Sequence, residues 1–232
     1  MRNGLLAICE RLCRQLSPRD IGLLFERLQI SLADSDPRVG HYALEFNNPQ
    51  AVCFLVDAYP TLQKIFATYP RMDTVRLLDI GPAFGAAGGL LSQMHRSHFL
   101  GPKVVVDALD IVDKRRKFIE MTYPLVNFLH TSVEMLPKNA FWDVVYCSNT
   151  IEHIDDPRTF ISSVMSHTKG YAIFLAPYRE ALPLSLDHRL QITKETFESF
   201  EIETLKVFKS AAWPDTADGL AREQILVVLR GQ

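Results

Sequence analysis

Residues 75–91 read VRLLDIGPAFGAAGGLL, and their reading decides the fold. Val75, Leu77, Leu78 and Ile80 form a short apolar run, the pattern of a central parallel strand covered on both faces. Asp79 interrupts it near the end, where a carboxylate is costly to bury unless it meets donors. It is therefore either a satisfied turn carboxylate or one aimed at a ligand. Gly81 and Gly85 remove the Cβ atoms that would keep backbone away from a bound group, and Gly88 and Gly89 let the following helix pack closely. Further on, KVVVDALDI (103–111) is a second apolar strand ending in Asp110. A carboxylate at that place can accept two hydrogen bonds from a ribose diol. Strand, glycine turn, helix, strand and acid follow in the order of a βαβ nucleotide-binding unit, which points to an adenosine cofactor.

The pattern continues with a helix over 113–122, strands over 126–130 and 142–147 separated by a loop (131–140), a helix over 157–168 and a strand over 171–176. Such alternation predicts an α/β fold, a doubly wound and mostly parallel seven-stranded sheet with helices on both faces. The C-terminal part is expected to add a helix over 193–200, a strand over 201–208, a loop with Trp213 and Pro214, and a last strand over 224–229 that closes a hairpin-like pair. Two domains are expected: an N-terminal helical extension or lid over 1–70 and a cofactor-binding domain over 71–232. In the extension, Leu5, Ile8, Cys9, Leu12 and Leu16 recur at helical spacing. Ser17 and Pro18 then open a second amphipathic helix through Ile21, Leu24, Phe25 and Leu28. These helices are candidates for covering the site, for joining two copies as a homodimer, or for packing on the domain. The stretch 35–49, with His41, Tyr42 and Phe46, reads as a loop suited to a substrate lid.

Composition narrows the function classes. The chain has 232 residues, 47% of them hydrophobic, and a net charge of -2, which suits a filled core and gives no electrostatic footprint for duplex nucleic acid. The one basic cluster, Lys114, Arg115, Arg116 and Lys117, reads as a solvated helix face. Cys9, Cys13, Cys53 and Cys147 have no paired metal spacing, consistent with a reducing cytoplasm. The apolar start is broken by Glu10 and Arg11 before signal-peptide length, and no run reaches the length of a membrane span.

DIGPAFG (79–85), Asp110, SVEMLP (132–137) and FWDVVYCSNTIEHIDDP (141–157) together resemble the class I S-adenosylmethionine-dependent methyltransferases over roughly residues 75–230. The resemblance implies that Asp79, Gly81 and Gly85 surround the amino-acid portion and ribose of S-adenosylmethionine, that Asp110 binds the ribose hydroxyls and that Ile111 packs on adenine. It places Ser132 and Val133 beside the adenine edge, and Ser148 or Asn149 near the methionine portion. Ala83 stands where glycine is usual, so the turn must avoid positive φ there or bring a methyl group near the ligand. Ser132 stands where an acid is common and accepts a hydrogen bond more weakly.

The cofactor would bring the reactive carbon, leaving alignment, water exclusion and activation of the acceptor to the protein. A hydroxyl acceptor must lose a proton, through a general base or a cation that lowers its pKa. Glu152, His153 and His188 are the candidates for either role. Their arrangement resembles that of the small-RNA 3′-terminal 2′-O-methyltransferases, where it holds magnesium, although Asn149 stands where a further Glu would be expected. Each has a plainer alternative: Glu152 and His153 organise the loop after the fourth strand, and His188 shapes the loop after the fifth. Tyr178, Arg179 and Trp213 could line the pocket or simply pack. The expected function is methyl transfer from S-adenosylmethionine, with S-adenosylhomocysteine as product, to a small-molecule or saccharide hydroxyl. The alternatives are an RNA 2′-O-methyltransferase, a non-catalytic methyltransferase-like binding protein and a nicotinamide oxidoreductase.

Overall fold

The computed structural model describes residues 41–185, 187–210, 212 and 223–231, with side chains from Asn48 onward. The elements in chain order are α1 (His41–Phe66), β1 (Thr74–Ile80), α2 (Ala86–Met94), β2 (Lys103–Asp110), α3 (Arg116–Thr122), β3 (Val126–His130), β4 (Trp142–Ser148), α4 (Pro157–Ser166), β5 (Thr168–Pro177), β6 (Ile202–Lys209) and β7 (Glu223–Arg230). The strands form one seven-stranded sheet in the order β3-β2-β1-β4-β5-β7-β6. The first five run parallel, while β7 is antiparallel to both neighbours and closes the expected terminal pair. Strand order reverses between β1 and β4, so a crevice opens there beyond the carboxyl ends of the strands.

Two apolar cores flank the sheet because alternate residues of each strand face opposite sides. Val75 and Leu77 of β1 join α1, α2 and α3 on one face; Leu78 and Ile80 join α4 and β7 residues on the other. Gly88 and Gly89 permit the close seat of α2. A Cβ at Gly88 would lie 2.9 Å from an Asp79 oxygen, and one at Gly89 would lie 2.2 Å from the Tyr123 ring.

Three expectations are corrected. Residues 41–49 are helical, the start of α1, which continues through both Pro49 and Pro60. The Asn-Asn-Pro signal suggested a loop, but Val52, Leu55, Ala58, Leu62, Ile65 and Phe66 are buried at helical spacing in the core shared with β1 and β2, and that burial overrides the propensity cost of proline. The helix expected over 193–200 is a 3-10 turn over Lys194–Phe197, opened by a capping box between Thr193 and Thr196. The stretch from 113 divides into a 3-10 turn (Asp113–Arg115) and α3. The two N-terminal amphipathic helices, Cys9, Cys13, Trp213 and Pro214 lie outside the described residues. Cys53 and Cys147 are buried. Among the described residues, no helix is long and apolar enough to cross a membrane.

Candidate active site

The carboxyl ends of β1, β2, β4 and β5 open into a cavity of about 990 Å³, lined also by Gln50, Ala51 and Phe54 of α1. The α1 contribution was not legible in the sequence, because nothing in a helix pattern says which turn will border a cleft.

Asp79 is the next-to-last residue of β1 and lies inside this cavity with only 2% of its surface exposed, and its Oδ2 has no hydrogen-bond partner among the described residues. Burial pushes its pKa up to about 7, opposed by the Gly88 backbone amide and reinforced by the charge of Asp110. A neighbouring strand carboxylate provides the contrast. Asp107 in β2 is also buried, yet it accepts from Trp142 Nε1 at 2.7 Å, Asn127 Nδ2 at 2.9 Å and the Arg76 guanidinium at 3.1 Å. Asp107 is a satisfied structural acid; Asp79 keeps an acceptor turned to no protein donor.

The glycine turn holds its shape by backbone geometry. Gly81 and Gly85 have φ of +67° and +80°, and Ala83, between them, takes φ +50°. The missing glycine is thus met by accepting a left-handed alanine, a strain of about 1–3 kcal/mol. A Cβ at Gly81 would fall 2.2 Å from Thr150 Oγ1, which is itself bonded to the carbonyls of Ile80 and Ser148.

Asp110 is partly engaged: Oδ1 accepts from the Val112 amide at 2.8 Å and Oδ2 from Arg115 at 3.3 Å. Arg115 corrects the solvated-face reading of the basic cluster. Its guanidinium lies over the Phe84 ring at 5.4 Å and the side chain borders the cavity. Ile111 stands 69% exposed at the cavity edge, an apolar side chain without a protein cover. Ser148 and Asn149 line the cavity, and Asn149 takes φ +48°. Its amide is committed to Ser148 Oγ at 3.2 Å and Gln224 Nε2 at 3.1 Å. Ser132 and Val133 are not cavity-lining; Val133 is in the core.

The second wall is assembled from side chains. Glu152 and His153 occupy a 3-10 turn (Ile151–His153) after β4, and His188 arrives in the loop after β5. The Arg189 amide donates to the Glu152 carbonyl at 2.7 Å, tying the two loops together. One ligand atom from each of Glu152, His153 and His188 falls within 4.8 Å of the others. Glu152 is 2% exposed with Oε2 unpartnered among the described residues, and burial, reinforced by Glu180 and Asp187, pushes its pKa up to about 8. His153 Nδ1 lies 3.0 Å from the Asp187 carbonyl and His188 Nδ1 is bonded to Glu180. The two rings meet edge to face at 4.9 Å. Tyr178 and Arg179 also line the cavity, with the guanidinium over the tyrosine ring at 5.2 Å. Glu180 was not singled out in the sequence; an acid in a loop carries no signal until its partner is known.

Comparison with known proteins agrees with this architecture. Residues 78–175 match the family model described as a methyltransferase domain. The ubiquinone biosynthesis O-methyltransferase of Rickettsia canadensis is 26% identical over 113 residues, 48% of this chain and 46% of that protein. The chain thus aligns with about half the length of the curated relatives it matches. Among solved structures, magnesium protoporphyrin IX methyltransferase from Synechocystis PCC 6803, with bound S-adenosylhomocysteine, is similar at a TM-score of 0.56 and 14% identity, over 78% of this chain and 84% of that one. The N-methyltransferase NodS from Bradyrhizobium japonicum WM9, in complex with S-adenosylhomocysteine, is similar at 0.54 and 14%, over 76% and 87%. These structures share the fold while their names record different acceptors. On the family match, the strand-one glycine turn and the sheet order together, residues 78–175 belong to the class I S-adenosylmethionine-dependent methyltransferase family.

Proposed function

We propose that the chain transfers a methyl group from S-adenosylmethionine to a hydroxyl oxygen of a small-molecule or saccharide acceptor. The observation that carries this reading is the meeting, in one cavity, of Asp79, whose Oδ2 has no partner among the described residues, with the Glu152, His153 and His188 cluster. The sequence relatives are named O-methyltransferases, which favours oxygen over nitrogen or carbon.

The cofactor fits the first wall. The free Asp79 oxygen suits its cationic amino-acid portion, the Cβ-free Gly81 and Gly85 allow close approach, Asp110 retains lone pairs for the ribose diol, and exposed Ile111 offers an apolar seat for adenine. Ser148 and Asn149 would border the methionine portion. Ser132 and Val133, outside the cavity lining, would border the adenine edge where it extends past Ile111. When bound, the cofactor supplies an electrophilic methyl carbon.

The second wall would take the acceptor proton. A carbonyl can only accept, so His153 Nδ1 carries hydrogen and its Nε2 holds the lone pair. At neutral pH Glu152, with its raised pKa, is mainly the neutral acid and serves as donor rather than base. A second role is supported by the same atoms: Glu152, His153 and His188 would hold a divalent cation, which would supply Lewis acidity toward the acceptor oxygen. Two imidazoles and one carboxylate suit a transition ion better than magnesium, which prefers oxygen donors. Asn149 is engaged by Ser148 and Gln224 and adds no anionic oxygen. The net charge of -2 gives no support to an RNA acceptor.

Calorimetric titration with S-adenosylmethionine, S-adenosylhomocysteine and NAD, with and without Mg2+ or Mn2+, tests the reading. Saturable binding of the two adenosyl-sulfur compounds alone is expected. Binding of NAD would move the protein to the oxidoreductases, and binding of neither class would leave a non-catalytic role.

A further inference from the structure

Glu180 lies in the loop after β5 and is held from several sides. Its Oε1 accepts from both the backbone amide (3.1 Å) and the hydroxyl of Ser185, its carbonyl accepts from Gln191, and its Oε2 bonds His188 Nδ1. The preceding Arg179 takes φ +49° and donates its amide to the Ile192 carbonyl at 3.0 Å, setting the angle at which the loop leaves the sheet. The two residues of the pair are close to buried, with 14% and 20% of their side-chain surfaces exposed.

We propose that Glu180 is a positioning residue, whose carboxylate locks the His188 imidazole in the Nδ1–H tautomer and leaves its Nε2 lone pair as the one offered within the cavity. This rests on the reading of Glu152, His153 and His188 as the set that handles the acceptor. An ionised carboxylate has no hydrogen to give, so the bond to Nδ1 fixes where the ring proton sits. The two imidazoles therefore differ in kind. His153 is oriented by the neutral Asp187 carbonyl, with the exposed Asp187 carboxylate only at 3.6 Å, whereas His188 is oriented by an anion that is itself anchored by Ser185. Either duty that the Nε2 lone pair could serve, accepting a proton or binding a cation, requires this orientation.

The place of the ring proton tests the proposal directly. In the full chain labelled with 15N-histidine, two-bond proton–nitrogen correlation reads the tautomer of each ring, with His188 assigned by its loss in His188→Gln. Neutral His188 is expected in the Nδ1–H form in the wild type and in Glu180→Gln, which keeps a carbonyl acceptor. In Glu180→Ala the population should pass to the Nε2–H form, while S-adenosylhomocysteine affinity stays within about twofold because Glu180 follows β5 and is not among the groups at the ends of β1 and β2 that would hold the cofactor. Ser185→Ala should give an intermediate population. An Nε2–H form in the wild type, or an unchanged tautomer in Glu180→Ala, overturns the proposal. Absence of S-adenosylhomocysteine binding in the wild type instead overturns the functional reading, and the ring-proton result is read independently of it.

Discussion

The two walls of the cavity are built by different means. The wall at the ends of β1 and β2 is a backbone construction, with its turn made by Gly81, Ala83 and Gly85 at positive φ and its two acids, Asp79 and Asp110, each last or next to last in a strand. The wall at the ends of β4 and β5 is a side-chain construction, in which Glu152, His153, Glu180 and His188 meet from two loops about thirty residues apart and are joined by one amide from Arg189 to the Glu152 carbonyl. A backbone site is insensitive to most side-chain changes and intolerant of an added Cβ. A side-chain site is the reverse, and its crowded acids make it sensitive to pH.

The largest effect that would break this contrast is at Gly81. Gly81→Ala places a Cβ against a Thr150 hydroxyl pinned by two carbonyls, at a φ that alanine resists. S-adenosylhomocysteine affinity should fall by about 100-fold or more by calorimetry, equivalent to roughly 3 kcal/mol. If Gly81→Ala binds normally, the turn is not the cofactor cradle. Asp110→Ala should weaken binding by about 10- to 100-fold, the value of one or two charge-assisted hydrogen bonds. Unchanged affinity would show that Asp110 is spent on Val112 and Arg115 and does not reach a ribose.

A third effect is a pH dependence to which each wall contributes one buried acid, Asp79 with a pKa raised to about 7 and Glu152 with one raised to about 8. Glu152 has a folded-state pKa near 8, above its ordinary 4.5, so the folded form binds the extra proton and stability falls as pH rises from 4.5 through 8. Glu152→Gln, which cannot ionise, should make this decline shallower, leaving the part that Asp79 contributes up to about pH 7, and melt above the wild type at pH 9, by about 2–4 °C for each kcal/mol relieved. A wild-type melting temperature that stays level across the window would mean that Glu152 is not held neutral. A cation bound at the cluster would favour the ionised form, so Mn2+ should also restore melting temperature at high pH in the wild type and not in Glu152→Gln. The smallest effect is expected at Ser132, outside the cavity lining. Ser132→Ala should change S-adenosylhomocysteine affinity by less than about twofold, and a larger loss would extend the cofactor wall past Ile111.

The sheet was readable because its signals are local. The apolar runs at 75–80, 103–110 and 142–147, with acids at strand ends and glycines in the turn, each lie within one window of sequence, and all appear as β1, β2 and β4. The misread stretches have signals that tertiary burial overrides. Asn47-Asn48-Pro49 looks like a loop, yet the run from Val52 to Phe66 buries enough surface to carry the helix back through it. Arg115 looked like one of four surface cations, yet it turns to Asp110 and Phe84 because the 3-10 turn ahead of α3 points it inward.

By itself, the sequence determined the βαβ order, the glycine turn and the two strand-end acids, since strand periodicity and missing Cβ atoms act on the backbone over a few residues. Only the tertiary structure decided that α1 walls the cavity, that Asp107 is satisfied while Asp79 is not, and that Glu180 meets His188. The physical reason is that hydrogen-bond satisfaction and side-chain convergence depend on the distance between loops, which the sheet order sets and which no spacing along the chain records.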